Sequence, residues 1–164
     1  MKKTERKYKI LILGVSGYLG NAIYRELCDY FRTYGTYLTP NPTFEKNKQF
    51  FHYNVEENDI YEILEATKPD IIISALRGNF HAQTIAHAHV AEYALEHGSK
   101  IIYLSSANAF DAYSKYPSYE TDKTLSHSIY GHFKIKIENM LMRMPKRQVA
   151  ILRLPMVFGT NCPR

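Results

Sequence analysis

A doubly wound α/β fold, with a parallel sheet covered by helices on both faces, is predicted by three features of this sequence. Strand-like and helix-like segments alternate six times along its 164 residues. The clearest strand, Asp70-Ile71-Ile72-Ile73-Ser74-Ala75-Leu76, is apolar almost throughout rather than alternating, the pattern of a strand buried on both faces. The first strand runs directly into a glycine-rich turn, Gly14-Val15-Ser16-Gly17-Tyr18-Leu19-Gly20, that opens a helix.

The elements follow in order. Residues 8–13 are a short apolar, β-branched run and read as a buried strand. After the turn, Leu19, Ile23, Leu27 and Phe31 recur at helical spacing and predict a helix that ends at Gly35. A short second strand is expected at 36–39, stopped by Pro40-Asn41-Pro42, and a third at 49–53. Ile60, Ile63 and Leu64 mark a helix that stops before Pro69, and residues 70–76 form the fourth strand. A helix over 82–97, with Ile85, His89 or Val90, and Tyr93 on its inner side, stops at Gly98. The fifth strand covers 100–105 and a polar loop covers 108–126. A long helix over 129–144 closes at Pro145 before a sixth strand at 149–154. Right-handed crossovers then favour the Rossmann order 3-2-1-4-5-6. No linker or repeat interrupts the pattern, so residues 1–164 read as one domain.

Composition excludes several classes. A hydrophobic content of 45% supports a core, and 23% charged residues exclude a disordered chain. No apolar run approaches the roughly 18 residues of a membrane span, and the run after the basic N-terminus is too short for an export signal, so a cytoplasmic protein is expected. The net charge of +5 favours anionic partners, but the basic residues are dispersed, which argues against nucleic acid. Cys28 and Cys162 form no metal or disulfide pattern. His87 and His89 face different sides of their helix, and no metal site is expected. His127 and His132 flank Tyr130 and read as surface residues.

Two constellations carry chemistry. In the turn, glycines let a phosphate approach the backbone while the next helix supplies free N–H groups and the positive end of its dipole. Tyr130 and Lys134 stand four residues apart on a helix and share a face. A phenol is a poor acid at neutral pH, but a neighbouring ammonium favours its phenolate and makes proton transfer feasible. Ser106, at the end of the fifth strand, would lie beside that helix and hydrogen-bond a substrate oxygen.

Gly14-x-x-Gly17-x-x-Gly20, Leu104-Ser105-Ser106, Tyr130-x-x-x-Lys134 and Arg153-x-x-x-Val157-Phe158-Gly159 together resemble the extended short-chain dehydrogenase/reductases. Within them the likeness is to the sugar-nucleotide branch, the dTDP-4-dehydrorhamnose reductases and the NAD-dependent epimerase/dehydratases. Lys68-Pro69-Asp70-Ile71-Ile72-Ile73 and Pro117-Ser118-Tyr119-Glu120-Thr121-Asp122 resemble reductase stretches in particular.

The resemblance implies an NAD or NADP cofactor and a nucleotide-linked 4-keto sugar as substrate. It also implies the roles. Gly14, Ser16, Gly17, Tyr18, Leu19 and Gly20 would line the pyrophosphate, and Asn54 and Val55 the adenine. Ala75, Leu76 and Arg77 would pass beneath the ribose and phosphate, with Ser105 and Pro155 also at the cofactor. Tyr130 would exchange the proton, Lys134 would hold the nicotinamide ribose, and Ser106 would orient the reacting oxygen.

The sequence departs from the family at Asn54, where Asp is frequent, and at Ser74-Ala75-Leu76-Arg77, where Asn-Ala-Ala is frequent. After the second strand, Leu38-Thr39-Pro40-Asn41 holds no acid for a ribose 2′-hydroxyl and no arginine for a 2′-phosphate, with Lys46 and Lys48 the nearest cations. The missing acid tilts the expectation towards NADP. The sequence ends ten residues after the sixth strand, so the chain is expected to stop before a C-terminal substrate-binding part. An epimerase or dehydratase, and a non-catalytic dinucleotide-binding protein, are the alternatives on this fold. A homodimer through the helices at 82–97 and 129–144 is also plausible by resemblance.

Overall fold

The structure is a computed structural model and describes residues 8–113 and 115–159; Cys162 lies outside them. Six parallel strands form one sheet in the order β3-β2-β1-β4-β5-β6, as expected. The chain runs β1 (Lys9–Leu13), α1 (Tyr18–Leu27), β2 (Arg32–Tyr37), α2 (Pro42–Glu45), β3 (Phe50–His52) and α3 (Ile60–Thr67). It continues through β4 (Ile71–Ser74), α4 (Phe80–His97), β5 (Lys100–Ser106), a 3-10 helix (Ala107–Tyr113), α5 (Ile129–Leu141) and β6 (Val149–Leu154).

Two apolar layers hold the sheet. On one face Leu11, Leu13, Ile72, Ile101 and Tyr103 pack against Leu64 of α3, Val90 and Tyr93 of α4, and Ile137 and Leu141 of α5. On the other, Ile10, Ile12, Val15 and Ile73 pack against Ile23, Tyr24 and Leu27 of α1. Full burial of each such aliphatic side chain is worth about 1.5–3 kcal/mol, so the first layer carries most of the stability.

Three local expectations are corrected. Helix α1 ends at Leu27, not at Gly35, and Gly35 lies inside β2, opposite Ile12. The second strand therefore begins four residues earlier than expected. Gly35 is required by packing: a Cβ there would sit 2.6 Å from Cγ1 of Val15 in the glycine turn. On α4, Val90 and Tyr93 face the core, but Ile85 is exposed and the half-buried His89 lies tilted against Tyr61, with ring centroids 5.2 Å apart. The buried stripe instead takes in Gln83, Ala86, His87, Ala91 and Ala94. The polar loop expected from 108 onwards opens with the 3-10 helix, and the short helix α2, capped by Asn41, was not foreseen.

Candidate functional site

The site lies at the C-terminal ends of the strands, where β1 and β4 lead away in opposite directions, the position at which doubly wound sheets open a crevice. Two clefts meet there. One, of about 670 Å³, runs from Gly17–Gly20 past Ala75–Gly78 to Ser106, Tyr130 and Lys134. The other, of about 380 Å³, runs from Gly14, Ser16 and Gly17 to Thr36–Thr39 and Tyr53–Glu56. They share Gly17, Ala75, Leu76, Arg77 and Gly78, so Arg77 stands at their junction.

The glycines of the turn have different reasons. Gly14 has φ +86°, and a Cβ there would lie 2.7 Å from the carbonyl oxygen of Ala75. A Cβ on Gly20 would collide with the carbonyl oxygen of Gly14. Both are demanded by the chain's own packing. Gly17 alone is roomy, its Cβ position 3.4 Å from the nearest atom, and it borders both clefts. The turn is stapled to β2: the Gly14 N–H donates to Thr36 Oγ1 at 2.9 Å and the Val15 N–H to the Thr36 carbonyl at 2.8 Å.

Side chains of Asn41, Asp59, Asn79 and Ser128 cap α2, α3, α4 and α5. The N-cap of α1, Gly17, provides no side-chain bond, so the first N–H groups of α1 are left for a ligand at the cleft. This fits a pyrophosphate: room at Gly17, free donors, a positive dipole end and the cation of Arg77.

At the far end the three residues expected to act together do line one cleft. Lys134 is buried, its Nζ donating to the Leu104 carbonyl at 3.0 Å and lying 5.6 Å from the centroid of the Tyr130 ring. Burial holds its pKa down at about 8, with the Glu138 carboxylate pulling the other way. Tyr130 is 42% exposed and lines the cleft. Ser106 Oγ donates to Asn108 Oδ1 at 2.8 Å.

Other expected residues divide. Tyr18, Leu19, Leu76 and Pro155 border the larger cleft, and Asn54 and Val55 the smaller one. The Asn54 side chain already accepts from the Glu56 N–H at 3.0 Å, which closes the local turn. Ser105 borders the larger cleft, but its hydroxyl donates away from it, to Glu138 Oε1 on α5. Lys46 and Lys48 do not border the smaller cleft, whose lining residues include one acid, Glu56, and one base, Arg77.

Several participants were missed. Phe80 and Phe133 stack with centroids 4.3 Å apart and form an apolar wall beside Tyr130. Gln83 donates to the Gly78 carbonyl at 2.8 Å and steadies the turn that carries Arg77. His87, buried beneath it, bonds the Gln83 carbonyl at 2.6 Å and Ser74 Oγ at 2.7 Å. A carbonyl only accepts, so Nδ1 carries the proton and Ser74 donates to Nε2. Burial lowers the His87 pKa to about 4, so the ring is neutral at pH 7. None of these had a motif; the helical register of α4 and α5 was the only available signal. Among the described residues no group of three or more His, Cys, Asp or Glu side chains is placed to hold a metal, and no helix is long and apolar enough to cross a membrane.

An uncapped helix after a glycine turn, a cleft at the sheet's switch point, and Ser106, Tyr130 and Lys134 gathered at its end define a doubly wound domain of the extended short-chain dehydrogenase/reductase kind. More particularly, the chain belongs to the RmlD substrate binding domain family, whose model matches residues 8–163. It is 25% identical to a dTDP-4-dehydrorhamnose reductase of Aggregatibacter actinomycetemcomitans, over 92% of this chain and 52% of the relative. It is 27% identical to methionine adenosyltransferase 2 subunit beta of Danio rerio, over 92% of this chain and 48% of that protein. The chain thus spans about half the length of these relatives. Among solved structures, a hypothetical dTDP-4-dehydrorhamnose reductase from Sulfolobus tokodaii superposes with a TM-score of 0.77 at 20% identity, covering 92% of this chain and 56% of that one.

Proposed function

We propose that this chain is the NAD(P)-binding part of a reductase acting on a nucleotide-linked 4-keto sugar. The observation that carries this reading is the convergence of Ser106, Tyr130 and Lys134 at one end of a cleft whose other end is the open N-terminus of α1. The relative from Aggregatibacter supplies the substrate class, and a structural neighbour from Bacillus anthracis, a dTDP-4-dehydrorhamnose reductase in complex with NADP, supplies the cofactor class.

The bound dinucleotide would provide hydride to the keto carbon. Gly17, the first N–H groups of α1 and Arg77 would hold the pyrophosphate. Lys134 would hold the nicotinamide ribose and, as an ammonium, faces the Tyr130 ring. Tyr130 then gives its phenolic proton to the substrate oxygen, and Ser106 receives the hydroxyl that forms. The smaller cleft would take the adenosine. The absence of an acid at Thr36–Thr39 favours NADP, since no carboxylate there accepts from a ribose 2′-hydroxyl.

The test combines binding and turnover. Calorimetry with NADPH and NADH on the folded chain reports the dinucleotide site. Consumption of NADPH with dTDP-linked keto sugars, in the protein and in Tyr130→Phe, reports the chemistry. Unchanged turnover in Tyr130→Phe would overturn the mechanism, whereas a cofactor that copurifies and is not consumed would favour an epimerase or dehydratase.

A second reading has support of its own. Six of the seven similar proteins are the beta subunit of methionine adenosyltransferase 2, which makes a dinucleotide-binding subunit of a larger assembly the alternative. Tight cofactor binding with no turnover of any keto sugar would select it.

A further inference from the structure

Ser106 does not stand alone in the cleft. Its Oγ donates to Asn108 Oδ1 at 2.8 Å, and the backbone N–H of Asn108 returns a bond to Oγ at 3.2 Å. A serine hydroxyl has one proton and two lone pairs. With the proton given to Asn108 and one lone pair occupied by the same residue, Ser106 is left with a lone pair for the cleft. Asn108 does not itself line the cleft, and its two bonds to Ser106 are its link to it. Its backbone also lies against the helix that carries Tyr130: a Cβ on Gly131, the next residue, would come within 2.5 Å of the Asn108 carbonyl oxygen.

We propose that Asn108 is a positioning residue of this site, holding Ser106 in a single rotamer with a lone pair presented to the substrate oxygen. The proposal rests on the reading of Ser106, Tyr130 and Lys134 as the reacting end. Once solvent has returned a proton to Tyr130, the hydrogen bonds of the alcohol complex run one way, from the Tyr130 hydroxyl to the substrate oxygen, from the substrate hydroxyl to Ser106, and from Ser106 to Asn108. Each bond of such a chain polarises the next. A carbonyl oxygen has no proton to give, so the ketone takes its bond from Tyr130 alone. Asn108 thereby sets which form of the substrate Ser106 recognises.

Two variants separate this from a merely structural role. Asn108→Asp keeps an acceptor for the Ser106 proton; Asn108→Ala removes it. In crystals of Asn108→Ala the Ser106 hydroxyl should leave its single rotamer, and in Asn108→Asp it should keep it. In turnover, Asn108→Ala should weaken the affinity for the alcohol product by about tenfold, the scale of one lost hydrogen bond, with the ketone KM little changed, and Asn108→Asp should restore it. Asn108 is exposed, so both variants should fold, as thermal melts would verify. An unmoved Ser106 in Asn108→Ala, or an Asn108→Asp variant as impaired as the alanine, overturns the proposal. If the unsubstituted protein turns over no keto sugar, the reductase reading fails, and the Ser106 rotamer in the two crystals still decides the role of Asn108.

Discussion

Arg153 on β6 grips Glu138 on α5 beneath the candidate site, with Nη2 2.8 Å and Nε 3.0 Å from Glu138 Oε2. Glu138 is fully buried and also receives the Ser105 hydroxyl. Arg153 extends further, donating to the Glu120 carbonyl at 3.2 Å and lying 4.7 Å from the centroid of the Phe110 ring. One ion pair thus ties β5, β6, α5 and the loop bearing Glu120 into a single support.

Breaking one side of this pair should be costly. Arg153→Met leaves a buried carboxylate without its cation and should destabilise by about 3–5 kcal/mol in urea unfolding. Arg153→Met with Glu138→Met should recover much of that loss, because apolar pairs of similar volume often replace buried ion pairs without penalty. A double variant no more stable than Arg153→Met would contradict this account.

Lys134 should weaken the fold it serves. Its folded pKa, about 8, is below the 10.5 usual for a lysine, so the unfolded chain binds more protons between those values. Below about pH 8 the folded state carries the full cost of a buried ammonium, and that cost disappears as pH rises to about 10.5. Lys134→Met should therefore be more stable than the unsubstituted protein at pH 7, by up to a few kcal/mol, and the gap should close towards pH 10.5. Unfolding at the two pH values measures it; a variant less stable at pH 7 would count against burial as the cause. The same variant should lose dinucleotide affinity.

Gly35 and Val15 should behave as a coupled pair. Gly35→Ala presses a methyl into the Val15 side chain and should cost about 1–3 kcal/mol. Combined with Val15→Ala, the loss should be smaller than the sum of the two single losses, giving a coupling energy above about 0.5 kcal/mol. Simple additivity would show that the strand tolerates the methyl elsewhere.

Asp111 anchors the start of α5. Its carboxylate accepts from the Ser128 hydroxyl at 2.7 Å and the His127 N–H at 2.6 Å, and these bonds, the hydroxyl's first, lower its pKa to about 2. A depressed carboxylate contributes stability that is present above about pH 4 and lost as pH falls through about 2. The His127 amide should thus stay protected from exchange at pH 4 and lose protection near pH 2, and Asp111→Ala should remove that protection at every pH. A His127 amide indifferent to both would break the link.

Much of the fold was legible, and the failures are instructive. The strand order follows from buried apolar runs such as 70–76, joined by crossovers whose handedness is general. The second strand slid by four residues because Leu27 and Phe31 continue a helical period and Gly35 looks like punctuation. The space Gly35 leaves is filled by Val15, twenty positions earlier, and local patterning contains no record of that contact.

The candidate site divides in the same way. By itself the sequence determined the glycine turn at Gly14, Gly17 and Gly20, the shared face of Tyr130 and Lys134, and the place of Ser106, because each lies within one element or at its end. Only the tertiary structure decided that Ser105 turns to Glu138, that Arg153 completes that pair, and that Arg77 stands where the two clefts join. The physical reason is that periodicity reports which way a side chain faces on its own element, whereas a hydrogen bond or ion pair between elements depends on how those elements pack.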